Sequence, residues 1–274
     1  MRRIAAAATL ATLALGAASC GAPSEREDTG EQALTVGATA VPAGEILEFI
    51  RDELAEEAGL DLTIQEFADY NAPNAALAEG ELDANLYQHE PFLADYNANS
   101  GTDLVAVADI YLPPLGLYSF TVDTVDDLPD GATVALPNDP TNEYRALLLL
   151  QEGGLITLAD GIEESAFSLS DITDNPKELE FQEVDAAQLP RSLEDVDAAV
   201  VNANYALDAQ LDANEDAILM EQFEGSPYVN VLATTAANAD DPRVETLAEL
   251  LTSAEVAAFI EEEYSGAVIP VPSS

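Results

Sequence analysis

Few residues in this 274-residue chain could carry covalent or acid–base chemistry. It has one histidine, His89, and one cysteine, Cys20. Any Ser–His, Cys–His or metal-assisted scheme would have to draw on those two. No GxSxG, HExxH or P-loop lysine pattern occurs. Carboxylates abound, with 53 Asp and Glu against 8 Lys and Arg and a formal charge of −45. At that density some acids pair by chance, so paired carboxylates carry no inference. The inventory gives an enzyme no support, and the scarce cations become the informative groups.

Among them Arg145, in "NDPTNEYRALLLL" (138–150), stands apart. Arg51 has Glu48, Lys177 has Asp174 and Glu180, Arg191 has Glu194 and Asp195, and Arg243 has Asp240. Each of those acids is three or four residues away, within reach on a helix or turn. Arg145 has Thr141 and Asn142 behind it and Leu148 and Leu149 ahead at the same spacing. Asp139 can cap a helix whose first residue is Pro140. That helix places Arg145 on the side of Leu148 and Leu149, which should face the interior. A buried guanidinium without a partner costs several kcal/mol, so an anion must meet it. The residues alone leave two sources open: a distant acid of the chain, or a bound ligand.

The elements that must position Arg145 follow an alternating pattern. Strands are predicted at 34–39, 61–67, 82–88 and 103–109, with helices at 42–59, 71–81 and 90–101 between and after them. Gly59 closes the first helix. The pattern restarts with strands at 115–120 and within 126–139, a helix at 140–153, a strand at 180–184, a helix near 186–192 and the segment 196–207. It ends with a strand at 228–235 and helices near 241–252 and 254–264. Such alternation implies α/β architecture with mostly parallel sheets. Two βαβ-rich halves, the last strand and helices returning to the first, would make a cleft at the strand ends.

Composition bounds the rest. Nearly half the chain is apolar, enough for a full core despite the charge. The acidity argues against nucleic acid as a partner and against electrostatic adhesion to anionic lipid. It fits a solvated, salt-adapted surface. Met1-Arg2-Arg3 followed by the apolar run Ile4 to Ala18 reads as a signal peptide over 1–19, too short to span a membrane comfortably. Cys20 directly after Ala17-Ala18-Ser19 resembles a bacterial lipobox, in which the cysteine is lipidated and becomes the mature N-terminus. The usual leucine three before the cysteine is Ala17 here. Residues 20–32 read as a flexible tether. With Cys20 lipidated, no disulfide framework remains.

Several blocks carry a family resemblance: "YNAPNAALAEGELDANLYQHEPFL" (70–93), "GTDLVA" (101–106), "LPDGATVALPNDPTNEYRALLLL" (128–150), "AAQLPRSLEDVDAAVVNANYAL" (186–207), "SPYVNV" (226–231) and "GAVIP" (266–270). Together they resemble the NlpA/MetQ family of lipid-anchored methionine-binding proteins of ABC importers. The resemblance implies a two-lobe periplasmic-binding-protein fold, type II-like, with an amino acid clamped between the lobes and no cofactor. Lobe 1 would be 33–116 plus 230–274, and lobe 2 would be 117–229. The family's arginine for the ligand carboxylate matches Arg145, where a bidentate pair is expected. Asn202, with Asn204 beside it, matches the amide positions, and Asn230 the ammonium partner. Tyr70, Tyr87 and His89 are implied as walls suited to a thioether, with Asn74 and Asn142 as further polar contacts. Each has a structural alternative: a satisfied histidine, core tyrosines, or capping asparagines. Where the family often has "GPHAEIL", this chain reads "VPAGEIL", with Ala43 in place of the histidine.

The implied partners are L-methionine and the permease and ATPase of an importer, with the membrane reached through Cys20. The implied location is the extracytoplasmic face. D-methionine, a methionine dipeptide or another small amino acid are alternative ligands. An enzyme on the same bilobal fold and an adhesive surface lipoprotein are alternatives of other classes.

Overall fold

The computed structural model describes residues 32–161, 167–213, 215–222 and 224–271. The signal peptide, Cys20 and nearly all of the tether lie outside those residues. The first half opens with β1 (Ala33–Thr39), then a helical segment 45–58 containing α1 (Glu45–Phe49) and α2 (Ala55–Ala58). It continues through β2 (Asp61–Phe67), α3 (Pro73–Ala78), β3 (Ala84–His89), α4 (Glu90–Ser100) and β4 (Leu104–Leu112). Gly59 and Gly101 end their helices in the left-handed region, at φ 71° and 69°, a conformation that costs glycine little because it lacks Cβ.

The chain then crosses into a second sheet: β5 (Gly116–Tyr118), β6 (Thr133–Pro137), α5 (Pro140–Glu152), the short pair β7 (Thr157–Leu158) and β8 (Ile172–Asp174), β9 (Glu180–Val184), α6 (Leu189–Ser192), β10 (Ala198–Val201), α7 (Ala203–Asp208) and β11 (Ala217–Met220). It returns through β12 (Asn230–Thr235), α8 (Pro242–Leu251), α9 (Ala254–Tyr264) and β13 (Ile269–Pro270).

The six-stranded sheet has the order β13-β4-β12-β3-β1-β2, and the five-stranded sheet β11-β5-β10-β6-β9. The expectation of mostly parallel sheets needs correction. β12 is antiparallel to both β3 and β4, and β5 is antiparallel to both β10 and β11. In each sheet the inserted strand is the first one after a crossing between sheets. The chain enters from the cleft side, where the strands it joins end, so it must run against them.

Each sheet has apolar packing on its faces. Leu34, Val36, Ile46, Leu47, Ile50, Leu247 and Ile260 form one fully buried cluster. Val134, Leu136, Leu147, Leu150 and Val200 form another around α5. Together with two smaller clusters, these give two α/β lobes joined where the chain crosses after β4 and again after β11. Among the described residues no helix is long and apolar enough to cross a membrane.

Candidate ligand-binding site

The strand ends of both sheets converge on a narrow cavity between the two walls, the place where ligands of open α/β sheets bind. One wall comes from the first lobe: Pro42, Tyr70, Tyr87, Gln88, His89, Phe92 and Asn230. The other comes from the second lobe, with Asn142, Arg145, Asn202, Ala203 and Asn204, and Pro113 lies at a crossing. Eight of the nine ligand-contact residues expected from the sequence therefore line one cavity.

Helix α5 begins as its sequence dictates. The Asp139 carboxylate accepts from the backbone N–H of Asn142 at 2.9 Å, and Pro140 takes the first turn. The same carboxylate accepts from Asn142 Nδ2 at 3.0 Å. This fixes Asn142 with Oδ1 as an acceptor, which takes Asn202 Nδ2 at 2.8 Å and His89 Nε2 at 3.3 Å. His89 ends β3 and caps α4, accepting the Phe92 N–H on Nδ1 at 3.2 Å. Neutral imidazole with Nδ1 as acceptor carries its proton on Nε2, so His89 donates to Asn142. Burial, then the nearby Arg145 charge, pushes its pKa down to about 3, and the ring is uncharged at neutral pH.

Asn202 occupies the capping position before α7. Its Nδ2 is engaged, but its buried Oδ1 accepts no hydrogen bond among the described residues. Such an orphan costs about 1–3 kcal/mol and marks a place for a donor. Asn230, at the start of β12, donates to Tyr111 Oη at 3.2 Å. Tyr70 donates to Asn204 Oδ1 at 2.5 Å. With His89–Asn142, this bond links the two lobes across the cavity. Tyr70 packs against Tyr87, Phe92 and Tyr205 with ring centroids 5.0–5.9 Å apart. Burial raises the pKa of both Tyr70 and Tyr87, so the aromatic wall is neutral.

Arg145 is 2% exposed, and its anion is a distant acid of the chain. Nε donates to Glu221 Oε1 at 2.9 Å and Nη2 to Glu221 Oε2 at 2.5 Å. Nη2 also donates to the Pro113 carbonyl at 2.9 Å. The guanidinium lies 4.6 Å from the centroid of the Tyr228 ring, a cation–π distance. Nη1 makes no hydrogen bond among the described residues. Arg145 lines the cavity, and Nη1 is its one guanidinium nitrogen without an acceptor among the described residues.

Asn74 does not line the cavity. Fully buried beneath it, Asn74 exchanges hydrogen bonds with Gln88 at 2.7 Å and accepts from Asn85 at 2.9 Å. It orients Gln88, which does line the cavity. Ala43 is fully buried in the first-lobe core, and its neighbour Pro42 forms part of the wall. Sequence reasoning assigned no role to Gln88, Phe92, Pro42 or Glu221. Gln88 and Phe92 flank His89 within the quoted block, which was the available signal. Glu221 had none, being one acid among 53.

The sequence pattern of the NlpA lipoprotein family matches residues 34–272. The chain belongs to that family. Among NlpA-family relatives, the "Methionine-binding lipoprotein MetQ" of Bacillus subtilis is 37% identical, covering 99% of each chain. The "D-methionine-binding lipoprotein MetQ" of Salmonella typhimurium is 38% identical over 96% of this chain and 94% of its own length. Among solved structures, a nutrient-binding protein from Burkholderia cenocepacia bound to methionine superposes with a TM-score of 0.83 at 44% identity. That match covers 86% of this chain and 99% of the other. An ABC transporter periplasmic substrate-binding protein from Coxiella burnetii matches equally, with a TM-score of 0.83 at 40% identity over 87% of this chain and 100% of its own.

Proposed function

We propose that this protein captures a free amino acid, L-methionine in the first instance, between its lobes and delivers it to an ABC importer. The observation that carries the reading is the buried, unpartnered Oδ1 of Asn202 in the same cavity as Arg145, whose Nη1 has no acceptor among the described residues. An α-ammonium satisfies the first and an α-carboxylate the second. The walls of Tyr70, Tyr87 and Phe92 suit an unbranched thioether, because sulfur packs well at ring edges. The relatives named for methionine support that choice. The arginine–carboxylate contact is end-on, since Nε and Nη2 are held by Glu221.

The remaining parts of the reading follow the sequence. Lobe 1 is 33–115 plus 230–274 and lobe 2 is 116–229, a boundary one residue earlier than the sequence suggested because Gly116 pairs within the second sheet; the lobes close by hinge motion about the crossings. Cys20 carries the lipid anchor on the extracytoplasmic face, and the closed form meets a permease with its ATPase. Calorimetry on protein refolded to strip carried-over ligand tests the reading. L-methionine should bind with a 1:1 stoichiometry and more tightly than D-methionine, a methionine dipeptide or other small amino acids. No heat from any amino acid would refute the reading.

A further inference from the structure

Glu221 is the first residue after β11, on the returning crossing, and it holds the outgoing crossing as well. Its N–H donates to the Leu115 carbonyl at 2.9 Å, and its Oε2 accepts the Leu115 N–H at 3.0 Å. Both carboxylate oxygens are also taken by Arg145. The side chain is 10% exposed. One acid therefore ties the two hinge segments together and grips the guanidinium by its Nε/Nη2 edge.

Two consequences follow. The edge of Arg145 that usually gives carboxylates a parallel two-bond fork is closed to a ligand, which is left with Nη1. The cavity's one cationic side chain is also compensated from behind. A ligand then meets no net charge from the ion pair, and an ammonium is tolerated beside Arg145. On the amino-acid reading above, we propose that Glu221 is a specificity-determining positioning residue: it holds Arg145 by the Nε/Nη2 edge and cancels its charge, so that the site accepts a ligand carrying an ammonium instead of favouring anions.

Paired calorimetric titrations with L-methionine and the cation L-methioninamide test this in wild type, Glu221→Gln and Glu221→Asp. The isosteric amide keeps the acceptor for Leu115 but leaves Arg145 a bare cation. The preference for methionine over methioninamide should then rise at least about tenfold, while Glu221→Asp should stay within about threefold of wild type. A purely structural role would weaken both ligands alike, and an unchanged ratio in Glu221→Gln overturns the proposal. If Glu221→Gln does not fold on its own, both it and the wild type are titrated in a stabilising osmolyte such as sucrose. The same rise in the ratio is expected there, and an unchanged ratio overturns the proposal. Wild type that binds neither ligand refutes the amino-acid reading itself. Wild type that binds methionine, with no ratio change on substitution, refutes only the role of Glu221.

Discussion

Replacing Asn202 by alanine should separate ligand binding from folding in a way few core substitutions do. In the folded protein Asn202 makes one hydrogen bond through Nδ2, to Asn142 Oδ1 at 2.8 Å. Its removal costs about 1 kcal/mol, because Asn142 Oδ1 keeps the donor His89 Nε2. Against this, the buried Oδ1 without a partner disappears, which recovers about 1–3 kcal/mol of desolvation. The ligand-free protein should therefore be as stable as wild type or up to about 2 kcal/mol more stable. The affinity change has the opposite sign. A hydrogen bond between a neutral acceptor and an ammonium contributes about 1.5–3 kcal/mol, so methionine should bind roughly 10- to 150-fold more weakly. Urea denaturation of stripped protein and calorimetry read the two quantities separately. A loss of more than about 2 kcal/mol of stability with affinity kept within threefold would refute the reasoning. Asn202 would then be a structural cap, and its Oδ1 would not face the ammonium.

Three further outcomes follow from the same geometry. Arg145→Ala should abolish binding and also destabilise the fold by about 3–5 kcal/mol, because Glu221 is left buried without its cation. Adding Glu221→Gln should recover much of the melting temperature but none of the binding. His89 has a folded pKa near 3, below its ordinary 6.5, so the unfolded chain takes up a proton that the folded chain refuses between those values. Its contribution is complete above about pH 6.5 and should fall by roughly 3 kcal/mol by pH 4; the difference between wild type and His89→Gln in denaturant titrations measures it. Glu143 behaves oppositely. Burial, then the neighbouring Glu183, raises its pKa from 4.5 to about 7, so stability is lost as pH rises through that interval. Glu143→Gln should stabilise the protein by on the order of 1–3 kcal/mol at pH 8 and not at all below pH 4.5, a contrast that melting curves at the two pH values would reveal.

Much of the first lobe was legible from local signals. The alternating "DLTIQEF" became β2 over the expected residues, and Gly59 closed its helix because glycine turns left-handed cheaply. The cap of α5 was readable for the same reason, since Asp139 and Pro140 act within one turn. What depends on sequence-distant partners was not readable. The reversed strands β5 and β12 follow from where the chain crosses between sheets, which no local period encodes. β11 and β13 are short strands recruited by neighbours far away in the chain. Arg145 shows the limit most clearly. Its isolation at helical spacing was real, and the need for an anion was correct. Yet the partner is Glu221, 76 residues on, in a segment that nothing distinguishes from the rest of an acidic chain. The family blocks drew most of the cavity together because they fall at strand ends and helix starts. They placed Asn74 too close, since its amide serves Gln88 from below.

The central claim is that one amino acid lies between the lobes, its ammonium on Asn202 Oδ1 and its carboxylate on Arg145 Nη1. A crystal structure of stripped protein grown with L-methionine tests it directly. The account predicts ligand density in this cavity, with nitrogen and carboxylate oxygen within about 3 Å of those two atoms, the thioether against Tyr70, Tyr87 and Phe92, and Glu221 still on Arg145. Density for methionine elsewhere, a reversed pose, or a carboxylate that displaces Glu221 from the Nε/Nη2 edge would contradict it.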